Sequence, residues 1–510
     1  MSLDQAGHDL NYQSEIDLAV NNLNAERSDI EQLILPLAAK GVSRQQISGL
    51  LRLSWEGLQE LRNAVTNFSE SVSSESSEYT DLLRQCESAL QPGLSFSLET
   101  VNQTLDSLHR YCASEEIESR LISAILEMQA LGAASGQEYE RAAELYEQAA
   151  QTENMDAERQ WKFLMAAASM LLDYGREFGH NESLHKAIDL LENKIPDLVS
   201  REARPADWAS SRLLLGNVFG VLGQRQGGTR NLDNAISAFQ ESLDARDRQR
   251  QPLQWAETQN SLGNALGILG HRLGDEEMMV QSITAFEQAL EERTRWRVPL
   301  EWAITQNNLA AVLQSQGQKN KDTKMLKRSV EAYKDLLDEW TKERVPLEWA
   351  ATMNNMGTAL RLLGEHRKGP RTLEQSVAAY NSSLSIRSRD QFPQEWAMVQ
   401  NNLGAALQKL AEREENPDTL SRAVDAYENA LLEWTRDQVP MTWAMTLANL
   451  GVARRTLAEV TEDIESARKA VKELETVSDV FRHASHAQYS ELSIDQLAQA
   501  RKLVDALGGA

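Results

Sequence analysis

From Pro299 onward, inward- and outward-facing residues alternate with the period of a helix. Trp302, Thr305, Gln306, Leu309, Ala310 and Leu313 fall at i, i+3, i+4, i+7, i+8 and i+11, which sets them on one stripe. Pro299 suits the first helical position, and Glu301 brings negative charge into the first turn, where the helix dipole favours it. Gly317 reads as the end of this helix, with a polar loop following through Lys321. A second helix then carries Leu326, Val330, Tyr333, Leu336 and Leu337 on one face. Neither helix can bury its stripe alone, so neighbouring units must supply the core.

The whole pattern recurs every 47 residues. Tryptophans stand at Trp161, Trp208, Trp255, Trp302, Trp349, Trp396 and Trp443, and prolines at Pro205, Pro252, Pro299, Pro346, Pro393 and Pro440. Phe239, Phe286, Tyr333, Tyr380 and Tyr427 form an aromatic column; Leu243, Leu290, Leu337, Leu384 and Leu431 form an aliphatic one. Independent columns locked to one period identify a repeat array. Residues 1–116 lack these columns and show helical patterns at about 14–38, 44–68, 79–90 and 97–112. The Ser/Glu-rich run from Ser69 to Glu78 reads as a linker.

Composition agrees with long helices, since only 26 Gly and 11 Pro occur in 510 residues. With 41% hydrophobic and 25% charged residues, the chain can bury a core. Lys and Arg number 52 against 76 Asp and Glu, a balance of −24 that opposes general affinity for nucleic acid or anionic membrane. No apolar run approaches the roughly 18 residues of a membrane span. The start, Met1-Ser2-Leu3-Asp4, lacks the regions of a signal peptide, so a cytoplasmic protein is expected. Cys86 and Cys112 are the only cysteines, which speaks against a disulfide framework or a Cys-based zinc site.

Asn308-Leu309-Ala310 with Leu313 and Gly317, then Val330, Ala332, Tyr333 and Leu337, resembles the tetratricopeptide repeat. Asn355-Met356-Gly357 and Asn402-Leu403-Gly404 match its N-L-G core closely. The period of 47 exceeds the family's 34, with the surplus assigned mostly to the loop between the two helices. The tryptophan also lies about one turn before the family's usual aromatic position, which Gln306 occupies. Units of this length look more like those of kinesin light chains and of long-repeat arrays in bacterial signalling proteins. The resemblance covers roughly 155–476. It extends more loosely to 117–152, where Tyr139, Ala142, Ala143, Leu145 and Tyr146 suggest one irregular repeat.

It implies an all-α fold, a right-handed α-solenoid of helix pairs preceded by an N-terminal helical region. The expected organisation is an N-terminal helical region at 1–68, a linker at 69–78, a helical connector at 79–116, the array at 117–476 and a capping helix at 477–510.

Gly41-Val42-Ser43-Arg44-Gln45-Gln46-Ile47, followed by Leu50, Leu51, Leu53 and Ser54, resembles the first half of a bacterial helix-turn-helix. A transcriptional regulator reading DNA through 41–65 is therefore the alternative function. The would-be recognition helix begins Ser54-Trp55-Glu56-Gly57 and carries Glu60. Residues 1–116 hold 7 Lys/Arg and 18 Asp/Glu, a balance of −11, where phosphate contacts need the opposite sign. A plain helical hairpin fits better.

No constellation points to catalysis, a cofactor or a metal. His483 and His486 have ligand-like spacing without an evident third partner, and Glu414-Glu415 reads as solvated charge. What remains is the outer face of each first helix. At 100° per residue, Asn307 lies about 140° and Asn308 about 240° from the stripe, so both are expected to point away from the core. The two positions recur as Asn260, Asn307, Asn354 and Asn401, and as Asn308, Asn355, Asn402 and Asn449. In the resembled family this face lines the inner groove of the superhelix, and a comparable asparagine ladder grips an extended peptide. An amide can pair with any peptide unit, whereas Glu, Lys or Gln would make a better helix.

The positions two and nine beyond each tryptophan are largely apolar, with Met398 and Met445 as adaptable contacts. A peptide or protein partner in the groove is thus the expected function, without catalysis. Hydrogen bonding between repeats is the competing use of the asparagines. A basic column, Arg225, Arg272, Lys319, His366 and Arg413, is expected to complement helix C-termini.

Overall fold

The computed structural model describes residues 25–39, 44–71, 77–92, 97–114, 119–483 and 487–508, together with Ile16, Ala19, Val20 and Leu23. Among them every regular element is helical. The chain divides into two compact units, Met1–Glu292 and Arg293–Ala510.

The first unit opens with α1 (Arg27–Ala39), α2 (Arg44–Ser71), α3 (Ser77–Ala89) and α4 (Leu98–Ser114). Their shared core of Ile30, Leu33, Leu58, Leu61, Val101 and Leu105 also takes in Ile125, Met128 and Leu131 of α5 (Ser119–Ser135). Two polar links pin it. Arg62 binds the buried Asp29 at 2.8 Å and the carbonyl of Leu90 at 2.8 Å, and Gln137 donates to Ser54 Oγ at 3.0 Å. The helix-turn-helix reading fails here: α2 is one unbroken 28-residue helix from Arg44 to Ser71, with no turn before Ser54, where the would-be recognition helix begins. Residues 41–43 of that motif lie outside the described residues, as does half of the linker candidate, 72–76.

Helix pairs follow: α6 (Tyr139–Ala150) after α5, then α7 (Ala157–Phe178) with α8 (Asn181–Asp189), α9 (Pro205–Arg225) with α10 (Arg230–Ala245), and α11 (Pro252–Leu273) with α12 (Glu276–Glu292). The second unit holds α13 (Pro299–Lys319) with α14 (Thr323–Leu337), α15 (Pro346–Glu365) with α16 (Arg371–Leu384), α17 (Pro393–Glu414) with α18 (Pro417–Leu431), and α19 (Pro440–Thr461) with α20 (Ile464–His483). Helix α21 (Ala487–Gly508) closes the chain's described part. Within each unit a second helix packs on its own first helix and on the next first helix.

The local reasons are those of the sequence, with two corrections. Proline stands at the start of each first helix from α9 on, and Asp322 and Asn416 cap second helices by accepting from the backbone of Lys324 and Thr419 among others. Gly317, however, does not end α13. It is buried two residues before the end, where a Cβ would come within 2.9 Å of Leu326. It permits the close crossing of the two helices.

The extra length is also elsewhere. The loop between α13 and α14 is only 320–322, while α13 runs 21 residues and the connection on to α15 spans 338–345. The surplus thus lengthens the first helix and the link between units. One step earlier on the stripe, Gly357 and Gly404 let the rings of Tyr380 and Tyr427 lie flat on the first helices, at 2.9 Å from where a Cβ would be. Ser329 and Ser376 donate from the second helix to the carbonyls of Ala310 and Gly357, at 2.8 and 2.7 Å.

Candidate partner-binding face

In the second unit the first helices α13, α15, α17 and α19 present the candidate residues. The asparagines do not all face outward. Asn354 is 5% exposed, accepts from Asn402 Nδ2 at 3.0 Å and donates to Asn355 Oδ1 at 3.2 Å. Asn401 accepts from Thr446 of the next first helix at 3.2 Å. At 140° and 240° from the stripe, these positions sit on the flanks where successive first helices meet, so one unit's amide meets the next. Asn307, Asn308, Asn355, Asn401 and Asn402 are half-buried, and only Asn449 is exposed; in the first unit Asn260 is half-buried. The pairs seen belong to the competing reading, a lateral brace between repeats.

The positions two and nine beyond each tryptophan face outward between these flanks. They are Ile304 and Ala311, Ala351 and Thr358, Met398 and Ala405, Met445 and Val452. None carries a charge. Ile304 and Met445 are 39% and 42% exposed, while Met398 is half-buried and leans on the cluster of Ala397, Ala430 and Trp434. Arg361 pairs with Glu365, Lys409 with Glu412 at 2.8 Å and Arg455 with Glu459 at 3.6 Å, which edges the strip with neutralised charge. Thr358 shares a 2.9 Å hydrogen bond with Tyr380, and Tyr427 donates to Gln408 at 3.3 Å. Burial holds both tyrosine hydroxyls well above the ordinary phenol range.

The tryptophans from Trp255 to Trp443 are half-buried, each less enclosed than a core residue. A cation covers four of them. Arg248 lies 4.4 Å from the Trp255 ring centroid, Arg295 5.8 Å from Trp302, Lys342 5.7 Å from Trp349 and Arg389 5.6 Å from Trp396. Each cation also reaches the end of the following second helix or just beyond it. Arg248 meets Glu291 at 2.6 Å, Arg295 meets Glu339, Arg389 meets Glu433 at 2.5 Å, and Lys342 donates to Ser385 at 3.2 Å. This column was readable from its period of 47, seven residues before each tryptophan; its partner, a carboxylate 43 or 44 residues on, was not.

The other basic column also works across units. Arg272 donates to the carbonyls of Gln224, Gln226 and Gly228, and Arg225 to that of Arg176, so each caps the preceding first helix rather than its own.

For chemistry the described residues offer little. No group of three or more His, Cys, Asp or Glu among them could hold a metal, and no helix among them is long and apolar enough to cross a membrane. His486 and the side chain of His483 lie outside the described residues. Burial pushes the Cys86 thiol up to about 12 and the Cys112 thiol to about 11, so neither forms thiolate near neutrality.

A family model, the tetratricopeptide repeat, matches residues 302–339, which span α13, α14 and the turn after them. The chain is a tetratricopeptide-like helical repeat array. A search of curated proteins found no match. Among solved structures, a monomeric mutant of IFIT1 with m7Gppp-AAAA is 13% identical, with a TM-score of 0.40 over 98% of this chain and 96% of that one. The APC/C hetero-tetramer Cut9–Hcn1 is 13% identical, with a TM-score of 0.29 over 93% and 98%. A circular tandem repeat protein is 13% identical, with a TM-score of 0.23 over 89% and 98%.

Proposed function

We propose that the tetratricopeptide-like array is a non-catalytic scaffold for a protein partner, which lies along the first helices α13, α15, α17 and α19. The observation that carries this reading is the uncharged strip from Ile304 to Val452, in a chain of which 25% is charged. A solvated face with no such role would carry Glu and Lys there. An extended, largely apolar segment of the partner rests on Ile304, Met398 and Met445, and Asn307, Asn355 and Asn449 pair with its peptide groups. Asn354, Asn401 and Asn402 hold the helices at the spacing the strip requires.

Met445→Glu together with Ile304→Glu places charge on the strip at exposed positions. Capture of partner from the native lysate should fall at least tenfold while the melting temperature stays within a few degrees. Undiminished capture by a folded double variant would refute the strip as the binding face.

A further inference from the structure

The connections between repeats carry a column of paired charges, and one interior member lacks its acid. In the unit Met1–Glu292, Arg248 meets Glu291 at 2.6 Å and Glu292 at 2.7 Å. In the second unit Arg295 meets Asp338 at 3.6 Å and also Glu339, and Arg389 meets Glu433 at 2.5 Å. Lys342 holds the same place in its repeat, 47 residues after Arg295 and 47 before Arg389. Among the described residues it makes no ion pair. Its partners are the Trp349 ring, 5.7 Å away, and Ser385 Oγ, to which it donates at 3.2 Å.

Both acidic positions are altered at this junction. Ser385 takes the place of Glu291 and Asp338, and Ile386 that of Glu292, Glu339 and Glu433. The cation changes with them, since the three carboxylate-paired members are arginines and the one facing serine is a lysine. An arginine's planar fork matches a carboxylate, whereas a lysine is a point charge that serves a phosphate. Ser385 and Lys342 are both exposed, so the hydroxyl can be reached from solvent.

We propose that Ser385 is a phosphorylation site, and that the phosphate supplies the missing acid by pairing with Lys342. A separate protein kinase transfers the γ-phosphoryl group of ATP. The bond from Oγ to phosphorus forms, the bond between the β- and γ-phosphates breaks, the hydroxyl proton is released and ADP leaves. The group brings a charge of about −1.5 to −2 near neutrality and three acceptor oxygens. In exchange, Ser385 gives up the bond its hydroxyl donates to the Ser382 carbonyl at 2.7 Å.

Negative charge at a helix C-terminus is unfavourable in itself. Glu291 and Asp338 bear the same cost at the ends of α12 and α14, and a cation from the preceding connection offsets it in both. Arg387, two residues beyond Ser385, lies in the field of Glu395 and Glu348, which leaves Lys342 as the cation for the phosphate. Modification thus exchanges a hydroxyl contact for an ion pair between α16 and the connection before α15. The inference does not rest on the scaffold reading, and its test needs no partner.

The full chain is produced with phosphoserine encoded at position 385, and its second ionisation is followed by phosphorus NMR. A neighbouring cation favours the dianion, so the midpoint should fall about 0.5 or more below the ordinary value of about 6. Lys342→Gln should return it to about 6. Amides in 381–386 should exchange about threefold more slowly than in the unmodified chain, and Lys342→Gln should abolish that difference. Mass spectrometry of the chain isolated from the cells that make it, growing and starved, should find phosphate on Ser385 in at least one state. A midpoint near 6 with Lys342 present, exchange that is unchanged or faster, or Ser385 unmodified in both states would overturn the proposal.

Discussion

Asn354 and Asn449 occupy related places in first helices two repeats apart and have opposite surroundings. Truncating Asn354 to Ala leaves the amides of Asn355 and Asn402 without their partner, so urea unfolding should show a loss of about 1–2 kcal/mol. Asn449→Ala should be neutral or slightly stabilising, as Ala is the better helix former, and should lower only partner capture. If Asn354→Ala leaves stability untouched, the lateral brace is not a brace. A helical wheel sets these residues apart from the core stripe. It treats the flank as solvent because a wheel contains one helix, and the neighbour's approach at 140° and 240° depends on how repeats stack.

The helix pair shows the same division between what a single chain segment reveals and what its neighbours decide. Existence, order and capping of the helices follow from period, proline and capping side chains, all local signals. The role of Gly317 does not, because a glycine near the end of a stripe reads equally as a cap or as a close crossing. Gly357 offers the sharper test. An alanine there would set its Cβ about 3 Å from the Tyr380 ring, and overpacking of this kind typically costs about 1–3 kcal/mol. Thermal melts of Gly357→Ala should therefore drop by several degrees, and Gly369→Ala, with nothing near, should not. Trp396→Ala removes a half-buried ring and the seat of Arg389; about 3 kcal/mol is expected, the low end for large aromatics. Hydrogen exchange should rise first in α16 to α18.

For the whole molecule, stability carries a pH signature. Burial pushes Asp173 up to about 6, with Arg176 partly opposing and Glu177 adding repulsion. A carboxyl whose folded pKa is raised binds its proton more readily when folded. Its favourable contribution is full below about pH 4 and lost as the pH rises through about 6. Asp173→Asn should accordingly add about 1–2 kcal/mol at pH 7.5 and almost nothing at pH 4, as urea titrations at the two pH values would show. The N-terminal helices were the least legible part, since their core with α5 joins residues far apart in sequence and follows no period. The array is the reverse case, and its cation column has a consequence for how such chains can change length. Lys342 and Arg389 hold equivalent places, each over a tryptophan seven residues on and each reaching the next unit. Excising 346–392 would set Lys342 beside Trp396 and Glu433, the partners Arg389 gives up, and would join Val345 to Pro393 as it now joins Pro346. That shortened chain should fold cooperatively, whereas excision of 346–388 should not, because every later contact would fall out of phase. A protein built this way gains or loses reach in whole steps, with each cation finding a familiar ring and a familiar acid at the seam.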